Sequence, residues 1–187
     1  MILIVDNTKR KMRSDIRTLL LEKSVPCAIC NTNSIDIFLP SGACIVTEKY
    51  LFDTVRYMSS MHGLSPLYLY NGSDDIFEYV SEIAEGLLQR IKEIESEYHL
   101  VFDDGDMLFC GRTVVFTKTE LRIIRMLLLS EDWQRREKIA LYCMKDPLAD
   151  EKSIAVHICN INKKALKSAG RILIEKRRYC GYRIVKD

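Results

Sequence analysis

The segment KSIAVHICNINKKALK, residues 152–167, constrains the fold more than any other part of the chain. At about 100° per residue, its aliphatic side chains fall on one stripe, formed by Ile154, Ile158, Ile161 and Ala165. The opposite side is rich in lysine and carries Lys152, Ser153, Val156, Asn160, Lys163, Lys164 and Lys167. The pattern predicts an amphipathic helix whose apolar side packs on a core and whose cationic side faces outward.

The residue types on the cationic side suit the major groove of duplex DNA. Lysine can neutralise phosphates, Asn160 can bond an adenine edge, and Val156 can contact a thymine methyl group. An ordinary amphipathic surface helix has the same periodicity, so the helix alone does not decide between the two interpretations.

The residues that follow this helix predict a β-hairpin with a basic tip. Gly170 can end the helix in a left-handed conformation. A strand is predicted at Ile172–Ile174, a basic turn at Lys176, Arg177 and Arg178, and a second strand at Tyr182–Val185. A helix followed by such a hairpin is the layout of a winged helix-turn-helix.

From about Leu100 onward, the chain resembles the C-terminal effector domain of OmpR/PhoB-type response regulators. The resemblance is carried by Thr117-Lys118-Thr119-Glu120 at a helix start, Val156-His157-Ile158 with Lys163-Lys164 and Leu166, and Gly181-Tyr182-Arg183. It implies a winged helix-turn-helix that binds double-stranded DNA as a transcription regulator. It also implies that the loop at 148–151, although short here, corresponds to one that can contact RNA polymerase in relatives.

Together, the residues and the resemblance predict a set of DNA contacts. Lysines would hold phosphates, Asn160 would turn the readout towards adenine where relatives often carry arginine, and the wing arginines would enter a neighbouring minor groove. The predicted contacts are Lys152, Ser153, Val156, Asn160, Asn162, Lys163, Lys164, Lys167, Arg177 and Arg178. His157 is expected to pack against the apolar side.

Charge is divided unequally along the chain. Residues 112–187 hold 18 Lys+Arg against 9 Asp+Glu, a net of +9, and residues 1–111 hold 10 against 17, a net of −7, which together give the +2 of the whole chain. A basic C-terminal part joined to an acidic N-terminal part suggests that one domain meets a polyanion and the other does not.

The N-terminal half alternates strand and helix signals. Strands are predicted at Met1–Val5, Cys27–Cys30, Ala43–Thr47 and Leu67–Tyr70, and helices at Lys9–Lys23, Tyr50–Met61 and, as one or two turns, Ser34–Leu39. This order predicts an α/β arrangement with a parallel sheet covered on both faces. The half resembles a receiver domain, a flavodoxin-like fold, but one that is truncated because no fifth strand follows.

The receiver resemblance lacks the residues that phosphorylation requires. Asp6-Asn7 stands where receivers have a pair of Mg²⁺-binding carboxylates, and Thr47-Glu48 stands where the acceptor aspartate ends the third strand. We therefore expect no phosphoacceptor, no metal site and no cofactor. Two alternatives stay open: residual metal binding by Asp6, which otherwise caps the first helix, and Glu48 as a permanent substitute for a phosphorylated aspartate.

A long helix is predicted over Ser73–Glu97. Its apolar stripe consists of Ile76, Val80, Ile83, Leu87, Ile91 and Ile94, which extends over about five turns. A truncated receiver offers little surface to cover it. We therefore expect part of the stripe to pack on a second copy, giving a homodimer through 73–97, with packing wholly inside the monomer as the alternative.

The predicted organisation is a degenerate receiver-like domain at 1–97 followed by a winged helix-turn-helix domain at 98–187. No apolar run reaches the roughly 18 residues that span a bilayer. The N-terminal MILIVDNTKRKMR does not have the order of a signal peptide, because its charges follow a very short apolar run. The seven cysteines, including Cys27 and Cys30, are expected to be reduced thiols of a cytoplasmic protein.

Two other classes of function are alternatives to a DNA-binding regulator. A non-catalytic signalling protein could use the winged helix to bind a protein partner, but its charge would then not concentrate on one helix face and a hairpin tip. Enzymatic activity is not expected, because the sequence has neither a nucleophile motif nor a P-loop, nor a carboxylate pair at helical spacing with a metal-binding histidine.

Overall fold

The computed structural model describes residues 1–5, 7, 12–34, 44–48, 51–60, 67–70, 76–94, 98, 100–103, 106–130 and 132–186. Three predicted features lie partly or wholly outside these residues. They are Asp6, positions 35–39 of the predicted helical turns, and positions 73–75 and 95–97 of the predicted long helix. A short 3-10 turn is present at Thr32–Ser34.

The N-terminal half alternates strands and helices as predicted. Its elements are β1 (Ile2–Val5), α1 (Met12–Glu22), β2 (Cys27–Cys30), β3 (Cys44–Glu48), α2 (Phe52–Ser60), β4 (Leu67–Tyr70) and α3 (Ile76–Ile94). The four strands pair in the order β2-β1-β3-β4 and every pairing is parallel. This is the beginning of the flavodoxin-like order, and the parallel sheet is consistent with the predicted receiver-like domain.

Alternation along β1 shows how the sheet is covered. Ile2 and Ile4 pack in a cluster with residues of α1 and α3, whereas Met1, Leu3 and Val5 pack in a second cluster. Successive residues of a strand face opposite sides, so both faces of the sheet are buried. That double burial explains why β1 is apolar at every position.

The central part of the apolar stripe of α3 is buried within the chain. Val80, Ile83 and Leu87 pack with the sheet and α1, and Ile91 packs in the cluster that extends into the C-terminal half. Each of these side chains is at most 8% exposed. The sheet and the C-terminal half thus supply part of the surface that a truncated receiver lacks, and the homodimer through 73–97 stays a prediction.

The C-terminal half has the predicted order of strands, three main helices and a hairpin. Its elements are β5 (Leu100–Asp103), β6 (Asp106–Phe109), β7 (Arg112–Val114), α4 (Lys118–Leu128), α5 (Arg136–Cys143), α6 (Pro147–Asp150), α7 (Ile154–Ala169), β8 (Ile174–Arg177) and β9 (Gly181–Ile184). The sheet β5-β6-β7 is antiparallel, and β8 pairs with β9 as an antiparallel hairpin.

The helix start predicted at Thr117-Lys118-Thr119-Glu120 is present and is closed by a capping box. Thr117 accepts a hydrogen bond from the Glu120 backbone N–H, and the Glu120 carboxylate accepts one from the Thr117 N–H at 2.8 Å. Leu121, Ile124 and Leu127 are all buried. In fact α4 is buried on every side from Glu120 onward, because it lies between the N-terminal half and the other C-terminal helices.

Three arginines join the two halves. Each lies on a helix of one half and donates to carbonyls at the carboxyl end of a helix in the other half. Arg17 on α1 donates to the carbonyls of Leu141, Met144 and Lys145 at the end of α5. Carbonyls in the last turn of a helix lack intrahelical donors and form the negative end of its dipole. A guanidinium is therefore stabilised there even without a carboxylate partner.

The reverse contacts come from α4. Arg122 donates to the Leu21 carbonyl at 2.7 Å, and Arg125 donates to the Ser24 carbonyl at 2.9 Å, both at the end of α1. These side chains are 4% and 9% exposed. The reciprocal contacts and the shared apolar cluster restrict relative motion of the two halves.

The thiols at this junction are buried and free. Cys27 and Cys30 in β2 form no disulfide, and burial raises the pKa of each thiol to about 12. Burial likewise raises the pKa of Cys143 in α5. These cysteines therefore remain protonated and pack as small apolar side chains. Within the described ranges, no helix has the length and apolar character that crossing a membrane requires.

Candidate nucleic-acid interface

Helix α7 has defined ends. It follows a 3-10 turn at Glu151–Ser153, and the Ser153 hydroxyl donates to the Asp150 carbonyl at 2.6 Å instead of capping the helix with its side chain. Gly170 ends the helix with φ 75° and donates its N–H to the Leu166 carbonyl. The left-handed ending predicted from Gly170 is confirmed.

One side of α7 is buried against the core. Ile154, Ile158, Ile161 and Ala165 are at most 5% exposed and pack in the cluster that contains α4 and α5. His157, at the edge of this side, is half-buried. The predicted aliphatic stripe is therefore confirmed residue by residue.

The opposite side of α7 is exposed along its length. Val156 is 60% exposed, and Asn160, Lys163 and Lys167 follow it at steps of four, three and four residues, all exposed. Lys152, in the turn before the helix, is exposed as well. We call this row of five residues the front ridge. Residues three and four apart are neighbours on a helix surface, so the front ridge is continuous.

Asn162 does not belong to the front ridge. Its side-chain amide donates to the Ile174 carbonyl at 2.7 Å, and its carbonyl oxygen accepts from the N–H groups of Leu173 and Ile174. The side chain therefore ties α7 to the start of β8. These bonds give Asn162 a structural role outside the front ridge, and its predicted contact with DNA stays a prediction.

Lys164 is also engaged within the chain. Its ammonium group lies 2.6 Å from a carboxylate oxygen of Glu120, whose side chain is 3% exposed, and 5.6 Å from the centre of the Phe116 ring. A buried carboxylate needs a counter-charge. The structure thus assigns Lys164 to neutralising the capping box of α4, which corrects its predicted role as a phosphate contact.

The β8–β9 hairpin, called the wing below, differs slightly from its prediction. β8 runs through Lys176 and Arg177, so the turn is formed by residues 178–180. The side chains of Lys176, Arg177 and Arg178 are exposed. The sequence placed the strand too early because it followed the apolar residues, whereas pairing with β9 sets the register.

The base of the wing is fixed against the segment before α5. Gln134 and Tyr182 exchange backbone hydrogen bonds of 2.8 and 2.9 Å. Gly181 has φ 117°, and a Cβ there would lie 2.2 Å from the Gln134 carbonyl oxygen. Arg183 pairs with Glu175 and stacks 4.5 Å from the centre of the Trp133 ring. The hairpin is therefore held rigidly while its tip is exposed.

Thr47, one of the two residues that the resemblance places at the end of the third strand, is buried. It is 1% exposed, and its hydroxyl has no hydrogen-bond partner within the described part of the chain. Asn7, the second residue of the Asp6-Asn7 pair, accepts hydrogen bonds from the N–H and hydroxyl of Thr32. The described residues contain no cluster of three or more side chains that could hold a metal ion.

Sequence reasoning missed two groups of residues. The interface arginines Arg17, Arg122 and Arg125 gave no signal, because their partners are backbone carbonyls more than a hundred residues away in sequence. The other is Tyr179, which is 82% exposed in the turn at 178–180 and has φ 66°. Its positive φ and its exposure become apparent only in three dimensions.

Several solved structures are similar to this chain over its full length. Two are variants of RitR in which a cysteine is replaced, by serine (13% identity, TM-score 0.44) and by aspartate (12% identity, TM-score 0.45); each match covers 100% of this chain and 99% of that chain. A third is described as a redox sensor of the streptococci that evolved from two-component response regulators (14% identity, TM-score 0.44, 100% of both chains). The chain matches no protein-family model and no curated protein. Similarities at this level do not establish a family.

Proposed function

We propose that this protein is a sequence-specific DNA-binding transcription regulator of the OmpR/PhoB type, in which α7 enters the major groove and the β8–β9 wing contacts the adjacent minor groove. A single observation carries the proposal. The front ridge of α7 is exposed and cationic while the other side of the same helix is buried. The N-terminal half is joined to α4 and α5 and leaves this ridge open.

The charges of the front ridge suit the phosphate backbone. Lys152, Lys163 and Lys167 are spaced over the length of the helix, so they can meet phosphates on both sides of a groove. Each phosphate neutralised releases condensed counterions, which makes affinity fall with salt. The net charge of +9 over residues 112–187 adds to this attraction.

The two uncharged residues of the front ridge are suited to reading bases. Asn160 can form a bidentate pair with adenine, and Val156 can contact the methyl group of thymine. Both point away from the core between the flanking lysines. This arrangement separates residues that position the helix from residues that specify the sequence.

The wing supplies the second set of contacts. Arg177 and Arg178 are exposed at or beside the hairpin tip, and arginine is favoured in the narrow minor groove of A·T-rich DNA. The rigid base of the hairpin at Gln134 and Tyr182 would keep these arginines in place before binding. Such preorganisation lowers the entropy lost on association.

The proposed input to this regulator is not aspartyl phosphorylation. Threonine at position 47 cannot form an acyl phosphate, and its side chain is buried. The proposed regulator acts in the cytoplasm, without catalysis or a bound cofactor. RNA polymerase is a further proposed partner through α6, where Leu148 is 92% exposed. A homodimer through residues 73–97 is also proposed, and the concentration dependence of unfolding tests it.

The rival function is that of a signalling protein whose winged helix binds another protein. The exposed apolar side chains Val115 and Leu166, at 65% and 54%, are the observation that favours it. Such a protein would bind a partner with affinity that depends weakly on salt, whereas DNA binding through lysines depends on it steeply.

The test is a selection of binding sites from random duplexes with the purified full-length protein. We expect one enriched motif that contains an adenine contacted by Asn160, and a strong decrease in affinity between low and moderate salt. The spacing of any paired half-sites reports whether two copies bind together. Absence of an enriched motif, with no binding to genomic fragments, would refute the proposal. It would favour the rival function, a signalling protein that binds another protein.

A further inference from the structure

Tyr179 is displayed at the tip of the wing in an unfavourable backbone conformation. Its side chain is 82% exposed and its φ is 66°. The left-handed region is sterically disfavoured for residues with a large side chain, and glycine or asparagine is usual there. An exposed aromatic side chain in strained backbone gains nothing from burial, so the fold alone gives no reason for a tyrosine at this position.

The neighbouring residues maintain this conformation. The Cys180 N–H donates to the Arg177 carbonyl at 3.2 Å and closes the turn. On the other side, Gly181 is pressed against the Gln134 carbonyl, and Tyr182 is fixed to Gln134 by two backbone hydrogen bonds. The ring is therefore presented by a turn that is fixed on both sides. Local strain that the surroundings enforce in this way is concentrated at functional sites.

The chemical surroundings of the ring indicate its partner. The Arg178 guanidinium lies 4.9 Å from the ring centre, and Lys176 and Arg177 are exposed on the preceding strand. An aromatic ring surrounded by cations suits a polyanion that also has flat apolar surfaces, because the cations can pair with its charges and the ring can stack on those surfaces. Nucleic acid has both, because charged phosphates border stacked bases.

We propose that Tyr179 is a wedge that enters the minor groove beside the wing arginines, opens one base step and bends the duplex. This inference rests on the proposed function and deepens it. Minor-groove wedges partly unstack a step and increase the protein surface that the bent DNA can contact. Arg178, stacked on the ring, would place its charge next to the phosphates that the bend brings closer together.

The wedge predicts a sequence preference at a position that α7 does not touch. Pyrimidine–purine steps such as TA and CA/TG unstack most easily. We therefore expect one such step under the wing in the selected motif, at a fixed distance from the bases read by Asn160. Selection there arises from the deformation energy of the step, without hydrogen bonds to base edges.

The experiment uses the full-length protein and a duplex from the binding-site selection, with 2-aminopurine at the step under the wing. The decisive variant is Tyr179→Gly, because glycine accepts φ 66° and removes the ring. Its affinity should fall roughly 5- to 100-fold, the range typical of losing one base–aromatic stack. The fluorescence increase that the wild type produces on binding should disappear, and the melting temperature should not fall. Tyr179→Phe should retain both signals.

Two further variants make the result specific. Tyr179→Asn also tolerates positive φ and should reproduce the Gly variant. Tyr57→Ala removes a tyrosine that is 68% exposed on α2, away from the wing, and should leave affinity and fluorescence unchanged. A loss of affinity in Tyr179→Gly accompanied by a lower melting temperature would indicate a structural role and overturn the proposal.

The outcomes separate the wedge from the proposed function. If Tyr179→Gly binds as tightly as the wild type and the probe does not respond, while Asn160→Ala still loses specificity, the wedge is refuted and the DNA-binding function stands. If the wild type enriches no duplex at all, both are refuted.

Discussion

Helices α3 and α7 are both amphipathic, and the difference between them teaches what periodicity can and cannot predict. For each, the sequence located the apolar stripe correctly. In α7 the stripe packs on α4 and α5 and the opposite side remains exposed. In α3 the stripe seemed too long for its own half, and the sheet and the C-terminal half together bury its central residues, Val80, Ile83, Leu87 and Ile91. Periodicity predicts which side is buried, but not which part of the chain buries it.

The largest expected effects come from truncating the two stripes themselves. Ile91→Ala in α3 and Ile161→Ala in α7 should each lower the free energy of unfolding by about 2–5 kcal/mol, because both side chains are buried and leave cavities. Urea denaturation measures this. The matched exposed variants Gln89→Ala and Lys163→Ala should change it by less than about 0.5 kcal/mol.

The same experiment tests the covered stripe of α3. If packing is internal, the midpoint of unfolding does not depend on protein concentration for either the wild type or Ile91→Ala. A midpoint that rises with concentration in the wild type, and loses that dependence in Ile91→Ala, would support the homodimer through this helix.

Asn160 and Asn162 provide the next comparison, within α7. Asn160→Ala should weaken binding to the specific site by about 1–3 kcal/mol and relax the preference at one base pair. Asn162→Ala should instead destabilise the fold by about 1–3 kcal/mol, because it leaves the backbone groups of Leu173 and Ile174 without partners. An unchanged base preference in Asn160→Ala would remove that residue from the readout.

Lys163 and Lys164 are adjacent but are expected to act differently. Lys163→Ala should flatten the slope of log affinity against log salt by about 0.9 units, the effect of one lost phosphate contact. Lys164→Ala should leave this slope unchanged and reduce stability, since the buried Glu120 carboxylate loses its counter-charge. Equal effects of the two substitutions on the salt slope would contradict the assignment of Lys164 to the capping box.

Cysteine labelling gives the mildest test of the exposed side. Cys159, exposed on α7 next to Asn160, should react with iodoacetamide at pH 8, and bound DNA should protect it. Cys27 should not react in the folded protein, because burial raises its pKa to about 12 and the thiolate is therefore scarce at pH 8. Mass spectrometry of the labelled peptides reads out both sites, and labelling of Cys159 that DNA does not slow would argue against α7 as the contact helix.

The sequence predicted the elements well where local rules apply. The helix start at Thr117 and Glu120 and the left-handed end at Gly170 depend on contacts within a few residues, and the stripe from Ile154 to Ala165 depends on regular helical spacing. All three are present. The prediction for the wing strand was shifted, because its register depends on pairing with β9.

The site was predicted in outline but not in every residue. The front ridge followed from helical periodicity, and its exposure agrees with that pattern. Asn162 and Lys164 were assigned to it because their residue types suit DNA. Their actual partners, the backbone near Ile174 and the carboxylate of Glu120, come from elements brought close only by folding.

By itself the sequence determined the alternation of strands and helices, the separation of acidic and basic halves, and the two sides of α7, because these depend on side-chain type and regular spacing. Only the tertiary structure decided which carbonyls Arg17 and Arg122 reach, what covers α3, and how Tyr179 is held in the wing. Those features depend on distances between residues far apart in the chain. No local pattern encodes such distances, since they result from how all the elements pack at once.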